Sequence, residues 1–111
     1  MDIREEREEG FLILSLEGRL DANNSKIFEE TVLNVIDQGE TRFIIDLSQV
    51  DYVSSAGLRV FLLASKRLNA ARGKIVPCSL QEPVREVFDI VGLYSIFSIS
   101  KSRDEALQLL R

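Results

Sequence analysis

The chain has 111 residues, 45% of them hydrophobic and 29% charged, and a net charge of −4. That is the size and composition of one soluble globular domain over residues 1–111. With no histidine, one cysteine and no Lys/Arg cluster, it sets aside His-dependent catalysis, Cys/His zinc sites, an internal disulfide, and binding to nucleic acid or anionic membrane.

Residues 2–9 are all charged except Ile3. With Gly10 as a turn, they are expected to pair as a charged edge strand with the apolar run Phe11-Leu12-Ile13-Leu14-Ser15-Leu16. No apolar run approaches the roughly 20 residues of a membrane span, and the charged start is not that of a signal peptide. One lone thiol fits a reducing compartment, so the expected location is cytoplasmic.

Gly18-Arg19-Leu20-Asp21-Ala22-Asn23-Asn24 then punctuates the chain with helix-start residues. Ile27, Phe28, Thr31, Val32, Val35 and Ile36 recur at spacings of three and four, which predicts a helix of about four turns with Gly39 at its end. Residues 43–47 form a short apolar run broken only by Asp46, the pattern of a strand covered on both faces. A polar connection leads to Ser54 and Ser55 and to a central helix over 56–71. Its expected stripe is Leu58, Phe61, Leu62, Ser65 and Leu68, and Lys66, Arg67 and Arg72 complement the dipole at its C-terminal end.

Residues 74–78 read as a strand that is at an edge or ends near Pro77. A helix with Pro83 in its first turn follows, with Val84, Val87, Phe88 and Val91 inward and Gly92 at its end. Residues 96–99 read as a last short strand. Ser102 with Glu105 has the form of a capping box that opens a terminal helix, with Ala106, Leu107 and Leu110 inward. The fold class is therefore α/β: a mixed, mostly parallel sheet of four to five strands with about four helices packed against it.

Such sheets present function at the carboxyl ends of their strands. Three loops should gather there, around Asp21, from Asp46 to Ser55, and around Ser79. Asp21 reads as a helix cap, Asp46 as a strand-end residue bonding loop amides, and Asp51 as a turn residue, rather than as a metal site. Ser55 has no base to activate it, no phosphate-cradling glycine loop exists, and Cys78 reads as an inert core thiol. No enzyme activity, cofactor or metal is expected. A serine before a helix has two possible jobs. It can cap the helix, or it can carry a phosphate that the helix N-terminus tolerates.

The segment Asp46-Leu47-Ser48-Gln49-Val50-Asp51-Tyr52-Val53-Ser54-Ser55-Ala56-Gly57-Leu58 resembles the signature of the STAS domain, as in bacterial anti-sigma factor antagonists. Gly18-Arg19-Leu20-Asp21 is similar to that family's turn before the first helix, and Pro83 to Leu93 to its third helix. The resemblance implies a regulatory protein-binding module. An anti-sigma factor that is also a serine kinase would phosphorylate the serine two places before the glycine, here Ser55, and a serine phosphatase would reset it. The unmodified form would bind the anti-sigma factor and free the sigma factor. Kinase-regulated members carry an aspartate before that serine and a serine or threonine after it, whereas this chain has Ser54 and Ala56, so Ser54 stands as the alternative acceptor. The expected contact residues are Asp21, Asn23, Asp46, Ser54, Ser55, Gly57 and Arg59. Three other readings remain open at this point: a scaffolding STAS subunit of a stress-signalling or lipid-transport complex, a small nucleotide-binding or hydrolytic protein, and a structural module in which Ser55 only caps the helix.

Overall fold

The structure, a computed structural model, describes residues 1–111. Its elements in order are β1 (Asp2–Glu8), β2 (Phe11–Leu20), α1 (Ala22–Asp37), β3 (Arg42–Val53), α2 (Ser55–Ala70), β4 (Lys74–Cys78), α3 (Glu82–Ile90) and α4 (Arg103–Leu110), with a 3-10 turn at Leu93–Ser95. The strands lie in the order β1-β2-β3-β4. The charged β1 pairs antiparallel with β2 across the Glu9-Gly10 turn, as expected. β2, β3 and β4 run parallel.

Two parallel crossovers that step the same way across a sheet, with the same hand, place both helices on one face. Accordingly α1 and α2 cover the face carrying Leu12, Leu14, Leu16, Phe43, Ile45 and Leu47, and α3 joins them. Alternation sends Ile13, Ile44, Val76 and Cys78 to the other face, where only α4 covers them with Ala106, Leu107 and Leu110. Phe61 of α2 is the hub of the larger core. Its ring centroid lies 5.2 Å from Phe28, 5.4 Å from Phe88 and 6.1 Å from Phe97, in tilted or edge-on geometries.

Four expectations need correction. Residues 96–99 do not form a strand. The chain takes a 3-10 turn and touches the sheet only through a bridge between Ser100 and Cys78, so the sheet has four strands. β3 does not end near Leu47 but continues to Val53. Register shifts opposite residues 15–17 and 18–20 of β2 let Leu47, Val50 and Val53 all point into the core at a spacing of three. The polar residues between them made the stretch read as a connection. Leu62 and Val91, expected inward, are 42% and 51% exposed.

Asp46 is the fourth case. It lies within β3, not at its end, on the face that α4 covers. It is 5% exposed. Its carboxylate accepts from the Ser48 amide at 2.9 Å and from Arg103 Nε at 2.6 Å. The same guanidinium reaches Glu6 at 2.7 Å and Glu8 at 3.7 Å on β1. One arginine at the start of α4 thus ties that helix to β1 and β3. Arg42 adds a second tie by donating to the Leu110 carbonyl at 2.8 Å.

Burial alone would raise the Asp46 carboxyl, but the Ser48 amide and the Arg103 guanidinium outweigh it and hold the group below its ordinary value. An unfolded aspartate titrates near about 4. The stabilisation from Asp46 is therefore complete above that pH and is lost as pH falls through the lower folded value. Asp46→Asn should lower the unfolding free energy by about 2 kcal/mol at neutral pH. It should also flatten the acid limb of stability below about pH 4. Urea unfolding across pH checks both. An acid limb as steep as that of the unsubstituted protein would show that Asp46 is not the group that titrates.

Candidate functional site

β2, β3 and β4 are parallel, so their carboxyl ends share one end of the sheet. β2 ends at Leu20, which lies opposite Val53 at the end of β3. Asp21 follows in extended conformation and caps α1, its carboxylate accepting from the Asn24 amide at 2.9 Å. The Asn24 side chain returns a bond to the Arg19 carbonyl at 2.6 Å, and the Ser25 hydroxyl donates to the Asp21 carbonyl at 2.6 Å. The turn before α1 is thereby fixed from both sides.

Two serines divide the work at the start of α2. Ser54 is the cap: its hydroxyl accepts from the Gly57 amide at 3.2 Å and donates to the Leu20 carbonyl at 2.9 Å. Its own amide also donates to Leu20, at 2.9 Å. Ser55 is the first residue of the helix and is exposed. The reading of Ser55 as the capping residue is corrected, because Ser54 holds that position. The hydroxyl of Ser55 points to no partner within the chain and stands where unpaired amides and the positive dipole end favour an anion.

Gly57 explains how close the helix start lies to β2. A Cβ at that position would sit 2.9 Å from both Cγ and Cδ2 of Leu20, inside any normal contact. Arg59, one turn beyond Ser55, is exposed, and so is Asn23 in the first turn of α1. Asp21, Ser54, Ser55 and Gly57 are therefore joined around Leu20, with Asn23 and Arg59 on adjoining exposed turns. Asp46 lies apart, buried against Arg103 on the other face of the sheet.

The third loop is tied in from the side. Ser79 donates its amide to the Ser100 carbonyl at 3.0 Å, and the Gln81 amide group donates to the Ser48 carbonyl at 2.8 Å. One pair at this end of the sheet was not visible in the sequence. The Arg19 guanidinium lies 4.2 Å from the centre of the Tyr52 ring, stacking the ends of β2 and β3. Its only sequence signal was an aromatic residue in a stretch that reads as a polar connection.

No group of three or more Asp, Glu or Cys side chains converges to hold a metal ion. Burial pushes the Cys78 thiol up to about 11, which leaves it protonated at neutral pH. A surface cavity of about 330 Å³ is bordered by Leu80, Arg85, Tyr94 and Lys101, away from Ser55.

The sequence profile of the STAS domain matches residues 2–106. BtrV of Bordetella bronchiseptica, provisionally named an anti-sigma factor antagonist, is 42% identical over 106 residues, covering 96% of this chain and 91% of that protein. The anti-sigma F factor antagonist of Paenibacillus polymyxa is 29% identical over 108 residues, covering 96% and 92%. Among solved structures, the antagonist SpoIIAA in its unphosphorylated form superposes with a TM-score of 0.84 at 22% identity, covering 99% of this chain and 96% of that one. Its phosphorylated form superposes at 0.75 and 21% identity, covering 99% and 100%. The family expected from residues 46–58 is the family found, and the chain belongs to the STAS domain family.

Proposed function

We propose that this chain is an anti-sigma factor antagonist, one domain over residues 1–111, switched by phosphorylation of Ser55. Unmodified, it binds an anti-sigma factor that is also a serine kinase, and so releases a sigma factor for transcription. Phosphorylated, it lets go, and a serine phosphatase returns it to the binding form. It acts in the cytoplasm as a binding protein and not as an enzyme. No helix is long and apolar enough to cross a membrane. Relatives that carry the antagonist name over nearly their full length support the class of partner.

One observation carries the choice of residue. Ser54 has its hydroxyl engaged on both sides, whereas Ser55 is exposed with its hydroxyl free. A phosphate on Ser54 would break the hydroxyl's bond to Leu20 and disturb the cap of α2. A phosphate on Ser55 adds nearly two negative charges at a helix start that accommodates them. The fold then stays intact, and the cost falls on whatever surface packs over Ser55. Burying that charge against a partner costs about 3 kcal/mol, a loss of roughly a hundredfold in affinity.

The two serines should separate in stability. Ser54→Ala should lose about 1 kcal/mol of unfolding free energy, and Ser55→Ala less than about 0.5. Equal losses in denaturant unfolding would contradict the division of roles. The switch itself is tested with purified protein, ATP, Mg²⁺ and extract of its source cells, followed by mass spectrometry. One phosphoryl group on Ser55 is expected, absent in Ser55→Ala and retained in Ser54→Ala. No label from an extract competent on a control substrate would overturn the proposal. Label on Ser54 alone would move the site.

A further inference from the structure

α2 has two contrasting faces. Gly57, Leu58, Val60, Phe61, Ala64 and Leu68 are buried. At 3.6 residues per turn, positions 55, 59, 62 and 66 fall together on the opposite pole. All four are exposed: Ser55, Arg59, Leu62 and Lys66. A leucine on the outward pole of a helix, 42% exposed and set between two cations, contributes little to the core. The charge of α2 is also out of keeping with the chain. In a protein of net charge −4, this helix holds Arg59, Lys66 and Arg67 and no acid at all. Arg67 is drawn sideways to Asp37 of α1 at 3.9 Å, whereas Arg59 and Lys66 make no ion pair.

We propose that the partner's footprint continues from Ser55 down this stripe, and that the surface it presents is acidic with an apolar socket for Leu62. The inference rests on the reading of Ser55 as the switch. Charge complementarity selects the occupant: two unpaired cations flanking an apolar side chain match carboxylates flanking an apolar pocket. It also gives the switch a second means of action. Phosphate at the head of the stripe sits one turn from Arg59 and sets negative charge against the partner's acids. Release then follows from like-charge repulsion along the footprint as well as from the loss of fit at one serine.

Lys66 lies 11 residues beyond Ser55, about 16 Å along the axis, outside the reach of a kinase active site closed on Ser55. The probe is the Ser55 kinase activity of source-cell extract, with the initial rate of labelling measured against the concentration of purified protein. Lys66→Glu and Leu62→Ser should each raise the apparent KM about tenfold, equivalent to about 1.4 kcal/mol, and leave kcat unchanged. Lys101→Glu, an equal reversal in the exposed loop before α4, should change neither. Raising salt from about 50 to about 200 mM should weaken KM for the unsubstituted protein and not for Lys66→Glu. An unchanged KM in both stripe variants, with Ser55 still labelled, would overturn the footprint and leave the switch standing. A lower KM in Lys66→Glu would mean a basic partner surface and would also overturn it. Failure to label Ser55 in the unsubstituted protein would remove the switch and the footprint together.

Discussion

The Leu20 carbonyl is where this molecule is joined. It receives two hydrogen bonds from Ser54, one from the amide and one from the hydroxyl, both at 2.9 Å. Those bonds tie the end of β2 to the end of β3 and to the first turn of α2. The side chain of the same residue fills the space that a Cβ on Gly57 would need. A larger residue at 57 would push the helix start away from the strand, and a Ser54 without its hydroxyl would cost the Leu20 carbonyl one of its two bonds and the Gly57 amide its side-chain cap. The exposed serine next door keeps its freedom because its neighbour is fully committed.

This arrangement separates stability from the proposed switch. Phe61 anchors the inward face of α2 against aromatic rings from α1, α3 and the segment after α3. On the other side of the sheet, Arg103 ties α4 to β1 and β3 through Glu6, Glu8 and Asp46. Neither anchor touches Ser55. Chemistry at the helix start can therefore change what binds there without drawing on the contacts that hold the sheet and helices together. A helix start is suited to this, since its dipole and free amides lower the cost of an added anion. A helix C-terminus would repel the same group.

Much of this was legible in the sequence where one local rule acted alone. The Asp21 and Ser102 caps, Pro83 near the start of α3, the positive-φ glycine after α3 and the charged edge strand β1 each follow from a side chain and its immediate neighbours. The parts that were not legible depend on two segments at once. The second half of β3 is a strand only because bulges against β2 carry Leu47, Val50 and Val53 inward at a spacing that strand periodicity does not contain. Residues 96–99 have strand composition, but they follow a 3-10 turn at the β4 edge, and only Ser100 after them bridges to the sheet, at Cys78. The division between Ser54 and Ser55 is of the same kind. Both are serines before a helix, and what distinguishes them is a carbonyl 34 residues earlier in the chain.

Net charge was the least informative number for function, and the reason is spatial. β1 is dense in acids, with Asp2, Glu5, Glu6 and Glu8, and Glu6 and Glu8 are already paired with Arg103. The cations of α2 have no such neighbours in their own helix. An overall value of −4 thus hides a basic helix among elements that are acidic on balance. With a Debye length of about 8 Å at physiological salt, a partner docked along α2 responds to the charges nearest it and not to the average. The helix that carries the proposed switch is basic in an acidic protein. A phosphate there reverses the sign of the charge at the head of α2, which is a larger change for a docked surface than the same phosphate added to the acidic edge strand would be.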